Sequence, residues 1–231
     1  MSLIRENVLR VKEAIDKAAQ RVGRNPAEVR LVGASKTVDV ERIKAAIEAG
    51  VTIFGENYVQ EAARKIEALA GQGVSWHLIG HLQKNKARHA VRLFDMIHSV
   101  DSVSLAEELE KRARLAGRRL EVLVEVNLSG ETTKWGVREE EVIPLIGEIS
   151  RLPNLSFKGL MTMPPFFDDP EDSRPYFVRL RTLGERIVSE KIHTGPLDLS
   201  MGMSNDFAVA VEEGATLVRV GTAIFGPRPL K

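Results

Sequence analysis

The sequence predicts an α/β protein built as a single closed (β/α)8 TIM barrel, with a doubly wound open sheet as the rival architecture. Three observations carry the choice. Short runs rich in Val, Ile and Leu alternate with stretches of helical period, which is the order of a parallel sheet. No Gly-x-Gly-x-x-Gly turn follows the first run, where a dinucleotide-binding open sheet would carry one. The last two runs both end in residues suited to an anion, where barrels often hold a phosphate.

A helix over Arg5–Val22 comes first and stops at Gly23, with Pro26 close behind, a normal helix end. Strands are then predicted at Val29–Ser35, Thr52–Glu56, Ser75–Gly80, Met96–Val100, Glu121–Asn127, Phe157–Met163, Leu197–Met201 and Leu217–Phe225. Val122–Val126 is apolar on nearly every residue, as a strand buried on both faces should be. The intervening helices are Val40–Ala49, Val59–Leu69, Lys84–Leu93, Ser104–Ala116, Arg138–Arg151, Ser173–Ser189 and Asn205–Glu213. With 231 residues, 43% of them hydrophobic, one domain over 1–231 is expected. Residues 1–28 form its N-terminal helix and lead-in, and 29–226 the barrel. The longest irregular stretch, Pro164–Asp172, would lie over the barrel mouth and is read as a solvated loop rather than a lid.

Composition narrows the function classes. There are 33 basic and 32 acidic residues, a formal net charge of +1, so no field over the whole molecule points to nucleic acid or to a membrane. Cysteine is absent, which removes disulfides, thiolate metal sites and cysteine nucleophiles. Met1–Ala19 carries charges every few residues, without a basic start and an apolar block. No later stretch is long and apolar enough to span a bilayer, and a cytoplasmic protein with a small-molecule site is expected.

In a barrel the reactive face is the carboxyl end of the strands. The residues closing the predicted strands include one lysine, Lys36, followed by Asp39, a plausible N-cap for the next helix. A partly desolvated lysine at the mouth has a lowered pKa, and the neutral amine attacks carbonyl carbon. Two turns nearby suit a phosphate. Leu199–Phe207 leaves a strand through Gly202 and enters a helix at Ser204, where free N–H groups and hydroxyls converge; Ser204 also reads as that helix's N-cap. Val218–Gly226 ends a strand at Gly221, open to an anion for want of a Cβ, and Thr222, a hydroxyl donor. An amine facing two anion turns describes a phosphorylated carbonyl compound, of which pyridoxal phosphate is one and a Schiff-base aldolase substrate another.

Other groups carry less. His77 and His81 close one strand, where their spacing does not align two ligands, and no metal is expected. Lys84, Lys86, Arg88, His89 and Arg92, and the basic run Lys111–Arg119, read as solvated helix faces without interleaved aromatics. The carboxylates of Asp168–Asp172 sit on a flexible loop, a poor place for acid–base chemistry.

Taken together, Gly33–Thr37, Phe54–Glu61, Trp76–Gly80 with Leu82, Gln83, Asn85 and Lys86, Gly159–Met161, Leu199–Ser204 and Val218–Gly226 resemble the pyridoxal phosphate homeostasis protein family, related to the N-terminal barrel of alanine racemase. The resemblance runs from about Val32 to Gly226 and departs only at His81 and in the Pro164–Asp172 loop. It implies a monomeric barrel that binds pyridoxal 5′-phosphate as a Schiff base on Lys36. It further implies that Ser200, Ser204, Gly221 and Thr222 hold the phosphate, that Met201 belongs to the cofactor-binding set, that Arg219 faces the pyridine nitrogen, and that Asn57 lies beside the ring. The implied role is binding and distributing the cofactor without established turnover, with cofactor-accepting enzymes as transient partners.

A racemase-like enzyme and a cofactor-free aldolase remain as alternatives. The first is disfavoured because no sequence is left for the second β-domain of racemases. A guanidinium has only donors, so Arg219 would bond the ring nitrogen unprotonated, which weakens its electron sink.

Overall fold

The computed structural model describes residues 3–131 and 134–227. Eight parallel strands close into a barrel in sequence order: β1 Arg30–Ala34, β2 Ile53–Glu56, β3 Ser75–Leu78, β4 Met96–Val100, β5 Leu120–Glu125, β6 Leu155–Met161, β7 Asp198–Ser200 and β8 Leu217–Val220. Closure is the pairing of β1 with β8, which sets Val32 opposite Arg219. Every residue of β4 and β8 is buried, as the apolar runs required.

The outer helices are α1 Leu3–Arg21, α2 Val40–Glu48, α3 Val59–Ala68, α4 Ala87–Leu93, α5 Val103–Leu115, α6 Glu139–Ile149, α7 Arg174–Ser189 and α8 Phe207–Glu212, with a single turn, α9 Thr222–Phe225, after β8. Local chemistry sets several starts: Asp39 accepts from Arg42 N at 2.9 Å to cap α2, and Ser102 caps α5. A one-turn α9 cannot cover the barrel after β8. Instead α1 packs against α8, α9 and α2, and the buried Asn7 donates to Ile224 O at 2.8 Å. The N-terminal helix therefore completes the outer ring.

The main core lies between strands and helices. A smaller one, with Val32, Met96, Leu123, Met161 and Leu217, fills the barrel interior.

Three expectations are corrected. The eighth strand does not run to Phe225: it stops at Val220, and Ile224 and Phe225 bury their side chains from a helical turn, because a short apolar run satisfies either geometry. The fourth outer helix is a 3-10 turn over Lys84–Lys86 and then α4. The helix after β7 begins at Phe207 behind Asp206, so Ser204 is not its N-cap.

Candidate functional site

A cavity of about 540 Å³ opens at the carboxyl ends of the strands, and Lys36, Asn57, Ser204, Arg219, Gly221 and Thr222 all line it. Six of the eight residues singled out in the sequence are thus brought together. Ser200 and Met201 do not line it. Ser200 is fully buried inside the barrel, and Met201 is buried in the shell between strands and helices, because successive strand residues face opposite ways.

Lys36 sits in the turn that leaves β1, half-buried, one residue after the buried Ser35. Thr37 next to it adopts φ 64°, left-handed backbone for a β-branched residue. Such a conformation costs roughly 1–2 kcal/mol and persists only where the surroundings enforce it.

Across the cavity, the N–H groups of Gly221 and Ala223 converge on Ser204 Oγ, at 3.1 and 3.2 Å. Two main-chain donors and a hydroxyl therefore share one point, the chemistry an oxyanion needs. Ser204 reaches it because Gly202 turns the chain at φ 90°. The glycine at 221 answers a second demand: a Cβ there would stand 3.1 Å from Ala34 O, so β1 and β8 meet closely at this point. Asn57, the residue after β2, has its Oδ1 buried and without a partner among the described residues.

Arg219 is the charged group beneath the cavity floor, 3% exposed. It donates to Ser200 Oγ at 2.6 Å and to Thr162 O at 2.9 Å, and no carboxylate pairs with it among the described residues. Burial pulls its pKa down to about 10, against the charges of Glu125 and Asp206.

A polar column continues below it: Ser200 Oγ is 2.9 Å from His98 Nδ1, and His98 Nε2 is 2.9 Å from His77 Nδ1. Arg219 can only donate, so the Ser200 hydroxyl donates its hydrogen bond to His98 Nδ1. That leaves His98 protonated at Nε2 and donating to His77. Burial, helped by nearby positive charge, holds His77 down to about 4 and His98 well below its usual value. Both rings are neutral spacers at pH 7 that orient the guanidinium without adding charge.

Within electrostatic reach of Arg219, Glu125 ends β5 with Oε2 buried and without a hydrogen-bond partner among the described residues. Burial first, then Asp101, pushes its pKa up to about 7, against the pull of Arg219.

Sequence reading missed His98, Glu125 and the cluster of buried Glu56 and Lys65 with the partly exposed Glu61. Lys65 follows Glu61 at i,i+4, which alone reads as a solvated helix pair. His77 and His81 part ways, His77 into the barrel and His81 onto Trp135, with ring centroids 3.5 Å apart. The Pro164–Asp172 stretch is more than solvated loop. Its Phe166 and Phe167 line the cavity, and Asn205 Nδ2 holds Phe167 O at 2.9 Å. No helix among the described residues is long and apolar enough to cross a membrane.

Comparison with known proteins adds context to this geometry. Residues 5–229 match the family model described as alanine racemase, N-terminal domain. A pyridoxal phosphate homeostasis protein of Aquifex aeolicus is 47% identical over 223 residues, 96% of this chain and 97% of the relative. The structure of PipY from Synechococcus elongatus with pyridoxal phosphate bound is 36% identical, with TM-score 0.81 over 92% of this chain and 100% of that one. An alanine racemase from Clostridium difficile shares the fold at TM-score 0.72 and 17% identity, and this chain spans 58% of it.

Proposed function

The chain belongs to the alanine racemase N-terminal domain family and, within it, to the pyridoxal phosphate homeostasis proteins, and from that premise we propose that it holds pyridoxal 5′-phosphate in the mouth cavity as a Schiff base on Lys36. Its task is to keep and hand on the cofactor in the cytoplasm, as a monomer, to enzymes that accept it, rather than to turn substrates over.

One observation carries the reading: a lysine amine, a pair of converging main-chain N–H donors and a buried guanidinium line a single cavity. The donor set fits the group. Lys36 supplies the amine that the cofactor's aldehyde needs. Gly221 N, Ala223 N and Ser204 Oγ, with Thr222 beside them, would hold the phosphate mainly with dipoles. Arg219, kept in place by Ser200 and Thr162 O, would donate to the ring nitrogen, and Asn57 would lie beside the ring. Ser200 thus serves the site through Arg219, and Met201 through packing. When bound, pyridoxal phosphate supplies a carbonyl for amines and a ring that draws electrons from them.

The test is attachment. Protein incubated with pyridoxal phosphate and reduced with borohydride should carry the adduct on Lys36 by mass spectrometry, and Lys36→Ala should abolish the visible band. An adduct on another lysine, with the band retained in Lys36→Ala, would refute the assignment.

A further inference from the structure

We infer that Lys65, together with Glu61, is a positioning residue for Lys36: its buried ammonium and that carboxylate clamp the main chain on both sides of Lys36 and so aim the amine into the cavity. This rests on the cofactor reading above and goes on to name what holds the attachment lysine in place.

Lys65 lies on the inner face of α3 and is only 6% exposed. Its Nζ donates to three oxygens: Ser35 O at 2.6 Å, Glu56 Oε1 at 2.8 Å and Glu61 Oε1 at 2.6 Å. Each of those acceptors leads to the Lys36 turn. Ser35 O is the carbonyl of the residue before Lys36. Glu56 Oε1 also accepts the Ser35 hydroxyl at 2.6 Å. Glu61 Oε1 also accepts the N–H of Thr37, the residue after Lys36, at 2.6 Å. The ammonium thus fixes the carbonyl before Lys36 directly and the N–H after it through Glu61.

The left-handed backbone of Thr37 explains why such a clamp is needed. At φ 64° the turn would relax toward ordinary backbone if released, and the Lys36 side chain would swing with it. Glu61 keeps its charge: burial works against it, but the bonds from Lys65 and Thr37 N hold its pKa below the usual carboxylate value.

Polarity here is expensive. Burying Lys65 and Glu56, with Glu61 partly covered beside them, costs desolvation that an apolar side chain on α3 would avoid, and such groups are often no more stabilising than hydrophobic replacements. Their specific return is direction: every bond made by Lys65 ends on the turn or on a group that holds it.

The experiment compares Lys65→Met, Glu61→Ala, Glu61→Gln and a remote core variant, Leu109→Ala, with wild type. Each is measured for thermal unfolding, affinity for pyridoxal phosphate, and the fraction of Lys36 trapped by borohydride. Lys65→Met and Glu61→Ala should bind roughly tenfold more weakly, the size of a lost charge-assisted hydrogen bond, and trap less Lys36. Glu61→Gln, which keeps the acceptor for Thr37 N, should restore both toward wild type. Leu109→Ala should lower the unfolding temperature and leave trapping unchanged.

Glu61 is partly exposed, with 20% of its side-chain surface accessible, so Glu61→Ala decides the matter if Lys65→Met fails to fold. Trapping in Glu61→Ala equal to wild type, with only stability reduced, overturns the clamp. If wild type itself is not trapped on Lys36, the cofactor reading falls and the clamp with it.

Discussion

Glu125 is a residue whose ordinary chemistry changes on folding. Its pKa rises from 4.5 to about 7, chiefly by burial and then by the charge of Asp101. In the folded chain this carboxyl keeps its proton to higher pH than it does unfolded. The stability it contributes is therefore present below about pH 4.5 and is lost as pH rises through about 7. Glu125→Gln carries a permanently neutral group of the same shape. Measured without cofactor, its unfolding temperature should exceed that of wild type at pH 8, and the two should converge as the pH falls toward 4.5. A gap of constant size across that range would mean that Glu125 does not titrate as its burial requires. His77, held down to about 4, works in the opposite sense. It lends stability above its unfolded value of 6.5, lost as pH falls through about 4, and both chains carry it equally. None of this is visible at residue level in the sequence, where Glu125 is one acidic letter in an apolar strand.

Elements carry the next layer of information, and the turn between β7 and α8 shows how far it reaches. Gly202 is legible as a breaker that turns the chain toward Ser204. Its burden is tertiary: at φ 90° an added Cβ would stand 2.5 Å from Ala210 Cβ. Arg219 N also donates to Gly202 O at 3.0 Å, so this turn and β8 move together. Gly202→Ala should lose about 3 kcal/mol by urea unfolding, combining left-handed strain with overpacking, and bind pyridoxal phosphate less well. Gly117, also left-handed at φ 63° but with nothing within 4 Å, isolates the first part, and Gly117→Ala should cost only about 1 kcal/mol. Equal losses at the two sites would show that Ala210 gives way. The misread end of the eighth strand belongs to this scale as well. Ala223, Ile224 and Phe225 extend an apolar run that a strand or a helical turn could bury, and here it is the helical turn α9 that buries Ile224 and Phe225.

At the scale of the whole molecule, the interior of the barrel bears on whether bound cofactor implies catalysis. Arg219 is fixed by Ser200, Thr162 O and the neutral pair His98 and His77. In the proposed site, a guanidinium held there could only donate to the ring nitrogen, which would leave that nitrogen unprotonated and the ring a weak electron sink. We therefore expect racemisation and transamination of common amino acids to be slow or undetectable in protein whose Lys36 is fully attached. Robust racemase turnover, lost in Lys36→Ala, would promote the enzymatic alternative.

The sequence by itself determined the alternation of strands and helices, the candidate lysine, and the turn residues Ser204, Gly221 and Thr222; Asn57 and Arg219 followed from the family resemblance, and all six residues line the same cavity. It could do so because periodicity, caps and turn residues act over a few positions. Tertiary structure decided which side chains face inward and which remote groups meet. Barrel closure brings His98 to Ser200 across 102 positions. Alternation of facing takes Ser200 and Met201 away from the cavity, and packing of α3 on the barrel turns what reads as a surface ion pair into the buried support of Lys36. Register and burial are set by contacts distant in sequence, and they alone give a charge its partner, its pKa and its direction.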